Sequence, residues 1–434
     1  MTRRIGGSVD WLIVMILVLG PLQWITLADI GLTLKPVHLP LFLVAGFGVA
    51  ATLGRRQSIE IDRSCLAAIG PFTVSYLVYL LALYVGCFYA ASPAFGLSLV
   101  FKLCLQAAIG FGVFLYFVQL STRRIFDSLL LGSLLSGITF LLVASYTLAL
   151  RGESLPGLVL QAVSTGNPAL LQFKLFLTLF NAGDWNGGVR TPASLRQVTM
   201  AFFYLSLMIS LHRVLVPGSA PKVRMLAWSS AGIALFILLI SLSRSLILVS
   251  AVGLGLVSLS LIRERAHRLI FGCLAFGLSA FAIFLLRDPS GIIGLVEARF
   301  GGLNQDGRLL QYAKSFETIA AAPIWGQGTG HMDEFRVGTT NMVHNLLLGA
   351  WVQAGIWAVL AALTFTAALV WMMWERGRIF WRQPALISLV ALPILPVIRS
   401  QLGGQGGNYT LPEFLAIILF VSLVYRADLS RWQG

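Results

Sequence analysis

Charged side chains are scarce in this chain. Only 11% of its 434 residues are Asp, Glu, Lys or Arg, whereas a soluble globular domain carries about 25%. Hydrophobic residues make up 57%, and the mean hydropathy is +0.85. Apolar runs of about 20 residues recur along the chain, each long enough to cross a bilayer as a helix. The composition excludes an ordinary soluble fold and predicts an all-α polytopic membrane protein.

Cysteine and metal-binding motifs are also lacking. The four cysteines lie in or at the ends of apolar runs and form no CxxC pair, which argues against a disulfide framework or a zinc site. The chain has no HExxH, no Asp-x-Asp and no clustered His and Cys, so nothing in the sequence supports a metal site. The "GQGTGH" at 326–331 is not a Walker loop, because no Lys-Ser/Thr follows it. Its glycines are expected to let the backbone pack tightly. We therefore predict no metal and no cofactor.

The hydrophobic runs predict about twelve transmembrane helices and two long connections. The predicted spans are 11–30, 37–54, 65–86, 98–120, 125–150, 192–211, 224–242, 245–262, 268–286, 345–374, 384–399 and 411–425. The close pair 224–242 and 245–262 could also be divided differently. The stretch 345–374 exceeds the ~20 residues that a span needs, so its first turns are expected along the membrane interface. The corresponding division is 1–150 (N-terminal helices), 151–191 (long segment), 192–286 (central helices), 287–344 (active-site loop) and 345–434 (C-terminal helices). Apolar residues at near-helical spacing in 155–181 and 308–321 predict helices lying at the membrane interface.

Acidic residues are few, 17 against 31 basic ones, giving a net charge of +14. If the N-terminus is cytoplasmic, more than half of the Lys and Arg fall in short cytoplasmic connections, as the positive-inside rule requires. Both termini are then cytoplasmic, and both long segments lie on the outer face of the membrane. Topology and anionic inner-leaflet lipid account for the net charge without a nucleic-acid partner. The apolar run from Trp11 is expected to be an uncleaved span rather than a signal peptide.

Several arginines lie on the predicted outer side. Arg244 is in "SLSRSL", Arg308 follows "NQDG", and Arg190 and Arg196 flank "RTPASLR", whose Thr-Pro pair can cap and open a helix. A helix N-terminus offers free N–H groups and a positive dipole end, and the arginine fork matches phosphate oxygens. The pattern predicts a diphosphate-binding site. The alternative for each arginine is snorkelling to lipid headgroups or a structural ion pair.

His344 begins the apolar run "HNLLLGAWVQAGIW" after a polar loop. Asn341 is the predicted cap, which would place His344 in the first turn of the next helix. Histidine is suited to proton transfer near neutral pH, and His344 is the candidate catalytic group. A capping or interfacial role is the alternative. Asp333 and Glu334, in the same loop, are reserve candidates for a base.

An ordered series of motifs resembles the O-antigen ligase and polysaccharide polymerase family of bacterial inner-membrane glycosyltransferases. The resemblance covers about residues 186–375. It rests on "RTPASLRQ", "SLSRS" at 241–245, "DGRLLQYAKSFETIAAAPIWGQGTG" at 306–330 and "HNLLLGAWVQAGIWA" at 344–358. Residues before this region agree with the family only in general character.

The resemblance implies metal-independent transfer of a glycan from undecaprenyl diphosphate to an acceptor hydroxyl on the periplasmic face of the inner membrane. It implies that Arg244 and Arg308 bind the diphosphate and that His344 activates or orients the acceptor; Arg190 and Arg196 match less closely. The implied partners are the lipid-linked glycan, membrane lipid, an acceptor that is lipid A–core or a second lipid-linked glycan, and a possible chain-length regulator. Ligase and polymerase share these motifs.

Two other classes compete with the transferase. A flippase or another secondary transporter usually carries acidic residues within its spans, and we find no Asp or Glu in the middle of a predicted span. There is also no repeat between the two halves. A membrane scaffold gives no reason for outward arginines beside a histidine. The sequence therefore favours the transferase.

Overall fold

The fold is known from a computed structural model. It describes residues 9–22, 27–29, 33–54, 63–149, 152–164, 196–240, 243–261, 307–330, 345–403 and 409–424. The helices are α1 (Trp11–Leu19), α2 (His38–Gly54), α3 (Arg63–Gly86), α4 (Pro93–Gln119), α5 (Thr122–Ala149), α6 (Leu155–Ser164), α7 (Arg196–Leu215), α8 (Pro221–Ile240), α9 (Arg244–Leu261), α10 (Gly307–Ala321), α11 (Leu346–Phe380), α12 (Pro384–Val390), α13 (Ile394–Gly403) and α14 (Leu411–Val424).

Three smaller elements complete the described chain. A 3-10 turn, Gly20–Leu22, follows α1, and a second, Cys87–Tyr89, follows α3. Two short strands, β1 (Ala28–Asp29) and β2 (Thr33–Leu34), pair antiparallel before α2. The described residues are therefore almost wholly helical.

Long apolar helices confirm the membrane-protein class. Among the described residues, 6 helical stretches are long and apolar enough to cross a membrane, and shorter apolar helices accompany them. The predicted neighbours 224–242 and 245–262 are indeed two separate helices, α8 and α9. The total of about twelve spans stays a prediction, and the predicted span 268–286 lies outside the described residues.

The first predicted span, 11–30, is wrong in its length. Helix α1 ends at Leu19 and continues only as the 3-10 turn to Leu22. Pro21 has no backbone N–H and restricts the residue before it, so it cannot sit inside a continuing α-helix without breaking it. In the first long connection, the predicted helical stretch 155–181 begins with α6, Leu155–Ser164, and its remainder lies outside the described residues.

Two C-terminal spans are interrupted, which the hydrophobic pattern does not show. Helix α11 is 35 residues long, but Ala354 and Gly355 have non-helical dihedrals that divide it. The predicted span 384–399 consists of α12 and α13, separated by a turn that ends at Pro393. Proline at this point removes a backbone donor and prevents one continuous helix.

Helix α7 forms the centre of the bundle. Its residues from Met200 to Leu211 are buried on every side, as expected for a helix that is apolar all round. It packs against α5, α8, α9, α12 and α14. The Tyr204 hydroxyl donates a 2.6 Å hydrogen bond to the Ala391 carbonyl, in the turn between α12 and α13.

The helix ends form two chemically different faces. At one, here called the basic end, Arg124 pairs with Asp10 at 3.1 Å and Arg213 pairs with Asp127 at 2.5 Å. These contacts join the beginnings of α1 and α5 to the end of α7. The opposite end, here called the site end, holds the end of α3, the loop 322–330, the beginning of α11 and the α13–α14 junction. The positive-inside rule predicts that the basic end is cytoplasmic.

Candidate functional site

The glycine loop, residues 322–330, lies in the break of α11. The Gln327 N–H donates to the Val352 carbonyl at 2.7 Å, and the Ile356 N–H donates to the Ile324 carbonyl at 3.3 Å. The Trp351 indole N–H donates to the Pro323 carbonyl at 2.9 Å. A helix break frees backbone groups that must find other partners when buried. Here the loop backbone supplies those partners.

The opposite side of the loop is fixed to α3 and the turn after it. The Thr329 N–H donates to the Gly86 carbonyl at 3.1 Å, and its hydroxyl donates to the Leu83 carbonyl at 2.5 Å. The Tyr89 hydroxyl donates to the Trp325 carbonyl. Thr329 is fully buried. The loop therefore holds the outer part of α3 and the break of α11 together.

Glycine is required where these backbones meet. Gly326 has a φ of +72°, and a Cβ there would lie 2.7 Å from both the Val352 oxygen and the Gly355 nitrogen. Gly328 has a φ of +96°, and a Cβ there would lie 2.4 Å from the Ala90 Cα. Side-chain-bearing residues rarely adopt such dihedrals. The prediction that these glycines allow tight backbone packing is confirmed.

Helix α10 leads into this loop and lies on the first segment of α11. Its Ile319 is buried against Val352, with Tyr312 and Leu348 packed beside them. Phe316, on the same helix, is 58% exposed. The predicted helix 308–321 is confirmed. Its apolar contact face and its exposed aromatic residue suit a helix at the membrane interface.

Helix α11 begins later than the sequence predicted. Asn345 is its N-cap, because the Asn345 Oδ1 accepts a hydrogen bond from the Leu348 N–H at 2.9 Å. The prediction that Asn341 caps this helix is wrong. His344 therefore precedes the cap instead of occupying the first helical turn. His344 itself, like Asn341, lies outside the described residues.

Three of the predicted arginines lie in the first turn of a helix, which shows where their backbone is in the fold. Arg196 begins α7, Arg244 begins α9, and Arg308 is the second residue of α10. Since α7 ends at the basic end, Arg196 lies near the site end. Helix α9 packs along both α12 and α13, and the chain reaches it from the far end of α8. The side chains of all three arginines, and all of Arg190, lie outside the described residues.

A buried ion pair at the site end was missed by the sequence analysis. Arg399 Nη1 lies 2.7 Å from the Glu413 Oε1 and donates to the Thr410 Oγ1 at 2.9 Å. Arg399 and Glu413 are both fully buried. Among the described residues, the Nε and Nη2 atoms of Arg399 have no hydrogen-bond partner. The sequence signal that could have predicted this pair is the opposite charge of Arg399 and Glu413, which lie on consecutive spans joined by a short glycine-rich connection.

The part of the chain that the structure describes contains no cluster of metal-ligating side chains. Within those ranges, no three His, Cys, Asp or Glu side chains come together as a metal site would require. Three acidic residues of the active-site loop that could serve as metal ligands, Asp306, Asp333 and Glu334, lie outside them. Metal-independent chemistry therefore stays a prediction.

Comparison with known families identifies the region around the glycine loop. Residues 229–363 match the family model described as O-antigen ligase. This part of the chain is similar to O-antigen ligases. The resemblance found in the sequence motifs is thus confirmed at the level of the O-antigen ligase and polymerase family. Among curated proteins, none matches the chain significantly.

The extent of this match separates the candidate residues into two groups. It covers less than half of the 434-residue chain. Arg244, Arg308 and His344 fall within the matched region, as do the glycine loop and the break of α11, whereas Arg190 and Arg196 precede it. The ion pair between Arg399 and Glu413 lies beyond it. The match supports, at family level, a membrane glycosyltransferase of the O-antigen ligase and polymerase type.

Proposed function

We propose that this protein transfers a glycan from undecaprenyl diphosphate to an acceptor hydroxyl at the periplasmic face of the bacterial inner membrane. The main support is that one family match covers Arg244, Arg308 and His344, in a chain with several helices able to span a membrane. The site end, opposite the basic end, is the periplasmic side in this proposal.

Binding of the donor is assigned to arginines at helix beginnings. Arg244 and Arg308 stand at or near the first residues of α9 and α10, where free N–H groups and the helix dipole favour anions. Their guanidinium forks can bind phosphate oxygens in a two-pronged way. Arg196, beginning α7, and Arg190, ahead of it in the chain, are the additional candidates.

The transfer reaction requires one bond to form and one to break. The acceptor hydroxyl oxygen attacks C1 of the donor sugar, and the bond between C1 and the diphosphate oxygen breaks. His344 accepts or orients the hydroxyl proton, and undecaprenyl diphosphate leaves with the bonding electron pair. Arg244 and Arg308 stabilise the negative charge that grows on this leaving group. A positioned base removes the proton as the new bond forms.

The acceptor distinguishes two activities within the proposal. Transfer to lipid A–core would make the protein a ligase, and transfer to a second lipid-linked glycan would make it a polymerase that works with a chain-length regulator. The experiment supplies both acceptors separately to the purified protein together with undecaprenyl-diphosphate glycan. The lipid-linked products of each reaction are then separated and quantified.

The same assay tests the role of metal and the competing class. We expect product in the presence of EDTA, because arginines replace a divalent cation in the proposed site. Loss of product with EDTA and recovery with magnesium or manganese would contradict metal-independent transfer. Movement of the lipid-linked glycan across reconstituted vesicles, without any covalent product from either acceptor, would favour the flippase alternative.

A further inference from the structure

The Asn345 side chain makes two different contacts at the start of α11. Its Oδ1 accepts from the Leu348 N–H at 2.9 Å and thereby caps the helix. Its Nδ2 donates to the Gln401 carbonyl at 3.0 Å. One amide group therefore both begins α11 and ties this beginning to the last turn of α13.

The segment that receives the second contact is held in place. Two residues before Gln401, Arg399 binds Glu413 at 2.7 Å and Thr410 at 2.9 Å. The Glu413 Oε2 also accepts from the Thr410 N–H at 2.5 Å. Hydrogen bonds among buried polar groups are strong because their surroundings have a low dielectric. The end of α13, held by the beginning of α14, therefore gives Asn345 a fixed point of attachment.

Capping alone does not explain an amide at this position. Serine and aspartate cap helices about as well as asparagine, because each supplies the acceptor oxygen. Neither can reproduce the bond from Nδ2 to the Gln401 carbonyl, because aspartate is not a donor there and the serine hydroxyl is shorter. The amide donor is thus the feature specific to Asn345, and its effect is to fix the backbone next to residue 344.

We propose that Asn345 is a positioning residue that fixes His344 relative to α13. This inference rests on the proposed function, in which His344 handles the acceptor proton. Residue 344 is joined to Asn345 by one peptide bond, so the tie of Asn345 to Gln401 constrains the chain at the position next to His344. A misplacement of about 1 Å can lower a catalytic rate about 10²-fold. Donor binding, assigned to arginines on other helices, does not depend on this contact.

The test compares variants that keep the cap but lose the donor. Asn345→Ser removes the tie without adding charge, and Asn345→Asp removes it with a helix-favourable negative charge. We expect each to lower kcat about 10- to 100-fold with little change in KM for the lipid-linked donor. The apparent pKa that controls kcat should stay the same. Agreement between the two variants separates the lost donor from the effect of charge.

Gln106→Met is the matched control. The Gln106 Nε2 donates to the Tyr409 carbonyl at 3.2 Å, so this substitution also removes an amide-to-carbonyl bond at the site end. It leaves the beginning of α11 untouched. We expect parental kcat and a thermal stability close to that of Asn345→Ser. Equal loss of kcat in Asn345→Ser and Gln106→Met would overturn the inference, because any weakened contact at this end would then have the same effect.

A double-mutant cycle with His344→Ala distinguishes the inference from the function on which it rests. If Asn345 acts through His344, Asn345→Ser has little further effect on kcat in the His344→Ala background. An equal fold-loss in both backgrounds overturns the inference while His344 keeps its role. Full kcat in His344→Ala contradicts the role of His344 and overturns the inference with it. Full kcat in Asn345→Ser contradicts only the positioning role.

Discussion

Substitution of Gly355 tests whether the break of α11 holds the glycine loop. Gly355 has φ 68° and ψ −160°, a backbone region that only glycine adopts readily and that costs other residues about 1–3 kcal/mol. In Gly355→Ala, the new Cβ would lie 2.0 Å from the Ile324 oxygen. Relief of this overlap requires the loop to move away. The bond from Ile356 N–H to that oxygen would then be lost, at a cost of about 1 kcal/mol.

The sum of these effects is about 2–4 kcal/mol of lost stability. Gly377→Ala, on the same helix, is the matched control, because its nearest neighbour would be the Val390 Cγ1 at 3.6 Å. Alanine is favoured over glycine within a helix by roughly 0.5–1 kcal/mol. We therefore expect Gly355→Ala to lower the apparent Tm in detergent by roughly 2–4 °C and Gly377→Ala to leave it equal or higher.

Thermal unfolding of the purified variants, followed by intrinsic tryptophan fluorescence, gives the comparison. Transfer activity at a temperature well below both transitions gives the functional consequence, and we expect a loss only for Gly355→Ala. Equal apparent Tm values for the two variants would refute the reasoning. They would mean that the loop does not depend on the non-helical backbone at Gly355.

Three further predictions concern the charged groups and the orientation in the membrane. Arg308→Lys should lower the transfer rate although it keeps the charge, because lysine cannot bind phosphate in a two-pronged way. Arg308→Ala should lower the rate further, and the same order should hold at Arg244. Equal transfer rates for the Lys and Arg forms would contradict two-pronged binding of the diphosphate. Glu413→Leu should lower the free energy of unfolding by about 3–5 kcal/mol, because it leaves the buried guanidinium of Arg399 without its charge partner. The double variant with Arg399→Met should recover most of that loss. Equal Tm values for the single and double variants would contradict this prediction. Cysteine introduced at Thr339 should react with a membrane-impermeant maleimide in intact spheroplasts, and labelling only after lysis would reverse the proposed orientation.

Local sequence patterns predicted the elements whose structure depends on local interactions. The apolar spacing of 308–321 predicted α10, and the short polar interval near Arg244 predicted two helices instead of one. The break at Gly355 was not predicted, because glycine within an apolar run is also compatible with a continuous membrane helix. That break depends on the glycine loop, whose backbone supplies hydrogen-bond partners from 25 and 32 residues earlier in the chain.

The candidate site shows the same division. Asn341 and Asn345 are equally suitable caps by residue type, and the contact of Asn345 with Gln401 helps to select the observed helix start. The pair of Arg399 and Glu413 was not predicted, because each residue alone resembles a charged group at the end of a span. Only the packing of α13 against α14 brings them together. Their burial then makes them partners instead of interfacial charges.

The contact between Thr329 and the end of α3 has a consequence for biosynthesis. Thr329 and Leu83 are 246 positions apart in the chain, so α3 leaves the ribosome long before its partner is made. The loop in turn requires the first segment of α11, which is translated later still. The site end can therefore close only after most of the polypeptide has been inserted into the membrane. Until then, the outer part of α3 lacks its final neighbours, and an insertion intermediate halted before α11 would have a preassembled basic end without a working active site.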